Sequence, residues 1–195
     1  MGEVTRTGHL SIAPLTRDDV ISVTNLYRLS ITAAFEGEGL GHLDSDIQQE
    51  IESKIRMVNA SLSPQNADTY FWVAKMDGKV AGTISYAPCG PDIRVCTGNK
   101  LDAVGELGSL YVLPDYQGQG IASALIAELM IFLRQQGITE FCLDSGYRRA
   151  QTKWLQKFGT PYAAVQDYWG PDSVHMVWLC SVRDPEDPED SLSQR

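Results

Sequence analysis

The sequence predicts a mixed α/β fold on three observations. Apolar residues recur at period two in some segments and near 3.6 in others, the two kinds alternate along the chain, and Gly, Pro and Asp-Gly signals separate them. A length of 195 residues is enough for one domain with a sizeable core. That domain is expected over residues 1–183, with an acidic tail at 184–195.

Residues 10–13 (LSIA) read as a first strand ended by Pro14. Thr16 can then cap a helix on which Val20, Val23, Leu26, Tyr27 and Ile31 line one side, until Gly37, Gly39 and Gly41 break it. Asp44 or Ser45 can cap the next helix, where Ile47, Ile51, Ile55 and Val58 recur at helical spacing before Pro64. Segments 70–75 (YFWVAK) and 80–86 (VAGTISY) flank Asp77-Gly78 and read as a hairpin about that turn. Residues 89–103 read as an irregular excursion. Leu107, Leu110, Tyr111, Val112 and Leu113 form a strand that Pro114 ends, followed by a helix carrying Ile121, Leu125, Ile126, Leu129, Phe132 and Leu133 on its apolar side. Segment 139–144 (TEFCLD) is a further strand, and 147–158 a short helix ended by Gly159 and Pro161. Segments 163–169 and 174–182 close the order as a last hairpin around Gly170-Pro171-Asp172. No internal repeat is visible.

The formal net charge of −9 argues against duplex nucleic acid as a partner, because phosphate binding draws on clustered Lys and Arg, and it would steer a cationic acceptor favourably. The Pro-rich tail 184–195 holds five acidic groups and one basic group and is expected to be solvated and disordered. No apolar run approaches the length needed to span a bilayer, no signal peptide is evident, and Arg6 stands where a myristoylation signal needs Ser or Thr. Cys89, Cys96, Cys142 and Cys180 show neither zinc spacing nor a disulfide framework, so no metal is expected. Cys142 and Cys180 lie in apolar strand-like runs and read as buried thiols, which fits a reduced cytoplasmic setting.

Chemistry concentrates at 106–126, ELGSLYVLPDYQGQGIASALI. A buried strand, a proline stop, a glycine turn and an apolar helix follow one another without a break. Gly118 and Gly120 let consecutive backbone N–H groups face one concavity, and the helix that follows leaves its first N–H groups unpaired with the positive end of its dipole outward. Such a turn suits a phosphate or pyrophosphate, and Ala122 keeps the first helical turn slim enough for a bulky ligand to approach.

The string Gln117-x-x-Gly120-x-Ala122, following a Leu-Tyr-Val strand, closely resembles the acyl-CoA motif of the GNAT N-acetyltransferase superfamily, written there Gln/Arg-x-x-Gly-x-Gly/Ala. The resemblance covers roughly residues 10–182, with its specificity in 106–126. It implies an α/β fold with a mixed, mostly antiparallel sheet, splayed central parallel strands and flanking helices. Acetyl-CoA is the implied acyl donor: its pantetheine arm would lie along the backbone of Leu110, Tyr111 and Val112, and its pyrophosphate against the backbone N–H groups of Gln117, Gly118, Gln119, Gly120, Ile121 and Ala122. Glu106 matches the general base of histone-acetylating members. In a regular strand it would share a face with Gly108, Leu110 and Val112. A lysine-like amine with a pKa near 10.4 is almost wholly protonated at neutral pH, so a carboxylate that takes its proton has a clear purpose; a solvent-facing strand-end glutamate is the alternative.

Backbone N–H of Leu110 or Val112 would then meet the oxyanion of direct attack. Many members supply a tyrosine as general acid in an Asn-x-x-Ala-x-x-x-Tyr-x-x-x-Gly pattern; with Gly159 as the final glycine, this sequence has Arg148, Gln151 and Leu155 at the first three positions. The general acid stays open among Tyr147, Tyr168, Ser145 and unassisted thiolate departure. Arg148 and Arg149 have two readings, contact with a CoA phosphate or exposed helix charge. By the resemblance, residues 36–42 and 167–170 wall the site of the acceptor, a small-molecule or peptide amine, while His175 reads as a hydrogen-bonded structural residue and Trp72, Trp154 and Trp178 as core. The runner-up is an acyl-CoA-holding sensor without turnover. A homodimer is compatible with either. A P-loop or dinucleotide enzyme fits less well, since the turn lacks Lys-Ser/Thr and does not follow the first strand.

Overall fold

Seven of the expected segments pair into one sheet. In the computed structural model, which describes residues 8–65 and 68–182, the strands are β1 (Leu10–Pro14), β2 (Tyr70–Met76), β3 (Lys79–Ala87), β4 (Glu106–Val112), β5 (Glu140–Ser145), β6 (Ala163–Gln166) and β7 (Val174–Ser181). Their order across the sheet is β1-β2-β3-β4-β5-β7-β6, antiparallel throughout except for the parallel pair β4 and β5. The tail at 184–195 lies outside the described residues.

The β2–β3 turn forms at the expected residues: Asp77 (φ 49°) and Gly78 (φ 79°) are both left-handed, as a two-residue turn that matches the twist of its strands requires. Helices α1 (Val20–Gly37) and α2 (Asp44–Ser61) cover one face, packing Val23, Leu26, Tyr27, Ile31, Ile47, Ile51 and Val58 on Phe71 and Val73. Thr16 enters α1 through a single 3-10 turn, its N–H and hydroxyl both donating to the Asp19 carboxylate at 3.0 and 2.7 Å. Helix α4 (Ile121–Gln135) covers the other face and buries Ile121, Leu125, Leu129 and Leu133 against Ile84, Phe141 and Trp178. Each of those leucines, fully buried, contributes about 1.5–3 kcal/mol of transfer free energy. Trp72 and Trp178 are core, as expected; Trp154 of α5 (Arg148–Phe158) packs on it at the edge. Cys142 and Cys180 are buried, as expected.

One element corrects the sequence reading. The stretch 89–103 contains a seven-residue helix, α3 (Pro91–Thr97), which sets Ile93 against Cys142 and Val177. Pro91 at its first position and left-handed Gly98 (φ 58°) after its last are the start and stop signals a short helix needs. The last hairpin is also shorter than expected, since β6 ends at Gln166 and 167–173 are turn and loop.

Strand β4 is not regular. Tyr111 pairs with Thr83 but Gly108 pairs with Ser85, so Ser109 and Leu110 oppose the single residue Ile84, and Ser109 takes φ 46°. This β-bulge reverses the alternation of side chains beyond it. Leu107, Leu110 and Val112 therefore face α4, whereas Tyr111 packs with the α1/α2 cluster. Glu106 and Gly108 share the face of Tyr111, not that of Leu110 and Val112 as a regular strand would have it. Strands β4 and β5 share one registered pair, Glu106 with Cys142, anchored where the Cys142 N–H donates to the Gly105 carbonyl at 2.9 Å. Among the described residues no ladder continues beyond it, so the two parallel strands open from that point.

Gly105 holds the apex of the opening. A Cβ there would land on the Tyr86 hydroxyl and ring, so Gly105→Ala should destabilise the fold by about 1–3 kcal/mol, read as a lower urea midpoint. An unchanged midpoint would show that Tyr86 moves aside without cost.

Candidate active site

Glu106 begins β4 at the apex of the opening, partly buried, with its Oε2 accepting the Gly90 N–H at 2.7 Å. Gly90 caps α3, and a Cβ on it would come within 2.7 Å of the same oxygen, so the bond depends on glycine. Burial, and then the neighbouring Asp144 carboxylate, push the Glu106 pKa up to about 7, against the opposing pull of the Gly90 N–H and the Lys54 charge. A carboxyl whose pKa is raised toward neutrality at the apex of an opening suits a general base.

On the far side of the bulge, 3-10 residues Pro114–Tyr116 lead into the glycine turn. Gly118 (φ 77°) and Gly120 (φ 80°) are both left-handed, and a Cβ on either would meet nothing within 4 Å, so the turn is open. Gly120 is the N-cap of α4, and its carbonyl accepts the Ala124 N–H at 3.0 Å. The N–H groups of Ile121, Ala122 and Ser123 therefore have no partner within the helix. Gln117 and Gln119 brace the turn through Nε2, donating to the Val112 and Asp115 carbonyls at 3.1 Å each. Leu110, Tyr111 and Val112 run between Glu106 and this turn along the edge that faces the opening.

Other sequence candidates divide. Tyr147 is the N-cap of α5, its ring edge-on to Phe35 at 5.8 Å, and its pKa is raised by burial and then by Glu50 and Glu38. Tyr168 donates its hydroxyl to Asp92 Oδ1 at 2.7 Å, and burial together with that bond raises its pKa. Ser145 Oγ accepts the Tyr147 N–H at 3.1 Å. Leu155 is 42% exposed on α5. Arg148 is drawn to the Asp172 carbonyl at 3.1 Å, and the Arg149 guanidinium lies against Gly37, while the Arg149 N–H donates to Glu38 Oε1 at 3.0 Å. The Arg148 guanidinium is thus engaged within the chain, and the Arg149 backbone ties the α1–α2 connection to the start of α5.

Sequence reasoning missed the residues that surround Glu106 from other elements. Asp144 Oδ2 lies 2.9 Å from His175 Nε2, and Trp169 Nε1–H donates to His175 Nδ1 at 3.0 Å. An indole only donates, so Nδ1 is the acceptor and Nε2 carries the proton given to Asp144. His175 is buried and hydrogen-bonded, as expected, but it connects an exposed tryptophan to a carboxylate beside Glu106 rather than only bracing the sheet. Ser85 Oγ, fully buried and without a hydrogen-bond partner, lies beside Gly108: a Cβ there would be 3.4 Å from it and 3.1 Å from Glu106 Oε1. The even spacing of Thr83, Ser85 and Ala87 on β3 was the available signal, since it sets a serine beside whichever residue pairs with it.

Residues 39–159, more than half of the chain, match the family described as "Acetyltransferase (GNAT) family". The chain belongs to the GNAT acetyltransferase family. Among curated relatives, "Probable N-acetyltransferase camello" of Xenopus tropicalis is 31% identical over 115 residues, covering 57% of this chain and 47% of that protein. The chain thus spans less than half the length of that relative. An acetyltransferase assigned to the GNAT family from Desulfovibrio desulfuricans superposes with a TM-score of 0.68 at 17% identity, over 90% of this chain and 100% of that one. PaiA N-acetyltransferase from Thermoplasma acidophilum, solved in complex with coenzyme A, gives 0.62 at 18% identity over 87% and 98%. At such identities the solved structures speak for the fold, a GNAT sheet with one parallel pair. Among the described residues no helix is long and apolar enough to cross a membrane, and no group of three or more His, Cys, Asp or Glu could hold a metal ion.

Proposed function

We propose that this GNAT chain transfers an acetyl group from acetyl-CoA to a primary amine of a small molecule or peptide by direct attack, with Glu106 as the general base. The observation that carries the reading is a partly buried carboxyl at the apex where β4 and β5 part, its pKa pushed up to about 7 by burial and then by Asp144. The residues present fit acetyl-CoA as substrate: an open, left-handed glycine turn for the pyrophosphate at Gln117, Gly118, Gln119, Gly120, Ile121 and Ala122, and the edge of Leu110, Tyr111 and Val112 for the pantetheine amides. The donor supplies an activated acyl carbon. The chain's residues position it and take the proton of the incoming ammonium on a Glu106 oxygen. Glu106 passes that proton to solvent, and the free amine attacks the thioester carbon to give a tetrahedral oxyanion; as this collapses the C–S bond breaks, the electron pair leaves on sulfur, and the second proton of the attacking nitrogen goes to the departing thiolate. Backbone N–H of Leu110 or Val112 would stabilise the oxyanion.

The second reading, a protein that holds acyl-CoA without turnover, is favoured by one observation: exposed, apolar Leu155 where many members have a tyrosine acid. A thiol of pKa about 8.5 leaves without full protonation, so the missing tyrosine does not forbid transfer. The test is thiol release from acetyl-CoA by the purified protein against amino acids, lysine peptides, aminoglycosides and oligoamines, with CoA-dependent thermal shift alongside. Release with any amine class supports the transferase. Stabilisation by CoA with no release across the panel supports the holding protein.

A further inference from the structure

Glu106 is one of three partly buried carboxylates on the α3 side of the opening, and among the described residues none of the three is paired with Lys or Arg. Asp144 receives the Nε2–H of a neutral His175, Asp92 the Tyr168 hydroxyl, and Glu106 the Gly90 N–H. All three donors are uncharged. Lys54, whose charge reaches Glu106, is held by Glu50 at 3.4 Å. Carboxylates withdrawn from water beside one another are costly unless a cation joins them. Two further features point to that cation. Ser85 Oγ is buried, unpartnered and turned to the same point over Gly108 as Glu106 Oε1, so an acceptor for an ammonium N–H is already in place there. Trp169 is 61% exposed, yet its indole is fixed by His175 and by the Tyr168 ring, which stands edge-on at 4.8 Å. An exposed aromatic face held rigid beside carboxylates favours an alkylammonium chain.

Resting on the acetyltransferase reading, we propose that the acceptor carries a second positive charge. It is a diamine or longer oligoamine whose reacting nitrogen lies between Glu106 and Ser85 and whose distal ammonium is taken by Asp144 and Asp92 beside Trp169. A monoamine would satisfy the first pair and leave the second pair of carboxylates uncompensated.

The experiment compares butylamine with 1,4-diaminobutane, which differ by the distal charge, in steady-state thiol release. The expected result is a kcat/KM at least tenfold higher for the diamine, carried by KM, shrinking in 0.5 M NaCl and falling toward unity in Asp144→Asn and Asp92→Asn. The ratio of the two amines is read in each variant, so a general loss of activity does not mimic the effect. Equal kcat/KM for the two amines overturns the proposal, as does a preference that survives both substitutions. If neither these two amines nor any of the wider panel releases thiol, the acetyltransferase reading fails, and titration of the two amines into the CoA-saturated protein then decides the second charge: equal dissociation constants overturn it.

Discussion

Glu106→Gln lowers kcat about 100-fold or more at pH 7 while raising the thermal stability of the free protein at pH 8. Both effects come from the same burial. As base, Glu106 must be ionised, so wild-type turnover rises as pH passes through about 7, the value to which burial and Asp144 bring its pKa. The glutamine variant has no such limb. It depends on free amine, which grows toward a pKa near 10.4, so the deficit narrows as pH climbs from 7 toward 10. The stability effect has the opposite sign. A carboxyl whose folded pKa lies above its ordinary 4.5 binds its proton more tightly in the folded state, so its stabilising contribution is complete below 4.5 and is lost as pH rises through about 7. At pH 8 the wild type keeps an ionised carboxylate in a partly buried site, and the amide is free of that cost. Tm should therefore rise by a few degrees at pH 8, at about 2–4 °C per kcal/mol for a chain of this size, and the gain should shrink at pH 4.5. A pH–rate profile unchanged in shape would remove Glu106 from the base role. A Tm that falls at pH 8 would mean that the Gly90 bond, not proton transfer, is what the carboxylate supplies.

What could be read from the chain beforehand was local, and what could not was decided by contacts distant in sequence. Asp77-Gly78 and the Gly118/Gly120 turn need left-handed residues at fixed positions, and the chain states that need itself. The α4 face follows from helical spacing in the same way. The bulge at Ser109 does not: serine has no preference for φ 46°, and the conformation persists because Tyr111 is packed edge-on to Tyr27 at 5.4 Å and its hydroxyl donates to Glu50 of α2 at 3.0 Å. A regular strand was the default, and it put Glu106 on the wrong face relative to Leu110 and Val112. The Asp144–His175–Trp169 chain depends on the register of β5 with β7, in which Asp144 pairs with Val177 across more than thirty residues. Nothing near Asp144 in sequence announces a histidine. Helix α3 lies between these cases: Pro91 and Gly98 were visible, but seven residues carry too few apolar positions to establish a period.

Gly120→Asp should weaken CoA binding about 100-fold while leaving the free protein about as stable as the wild type, and Gly120→Asn should weaken it less than tenfold. The pair separates charge from shape. A side chain at Gly120 meets nothing within 4 Å, so neither substitution clashes with the fold. Both must accept φ 80°, a cost that Asn and Asp bear more readily than other residues. At the N-cap of α4 an aspartate would also complement the helix dipole, which offsets part of the backbone strain and keeps Tm near its starting value. For an incoming pyrophosphate the same carboxylate is a like charge at the site of the N–H groups. A unit pair 4 Å apart interacts by about 4 kcal/mol at an effective dielectric near 20, and screening at ordinary ionic strength reduces that to the range of a 100-fold loss. Isothermal titration of CoA into the three proteins measures both differences, and repeating it in higher salt should narrow the gap between Asp and Asn. Equal affinities for the Asp and Asn variants would show that no phosphate approaches Gly120. The donor would then have to enter the β4–β5 opening from another side, and Leu110, Tyr111 and Val112 would lose their assignment together with the turn.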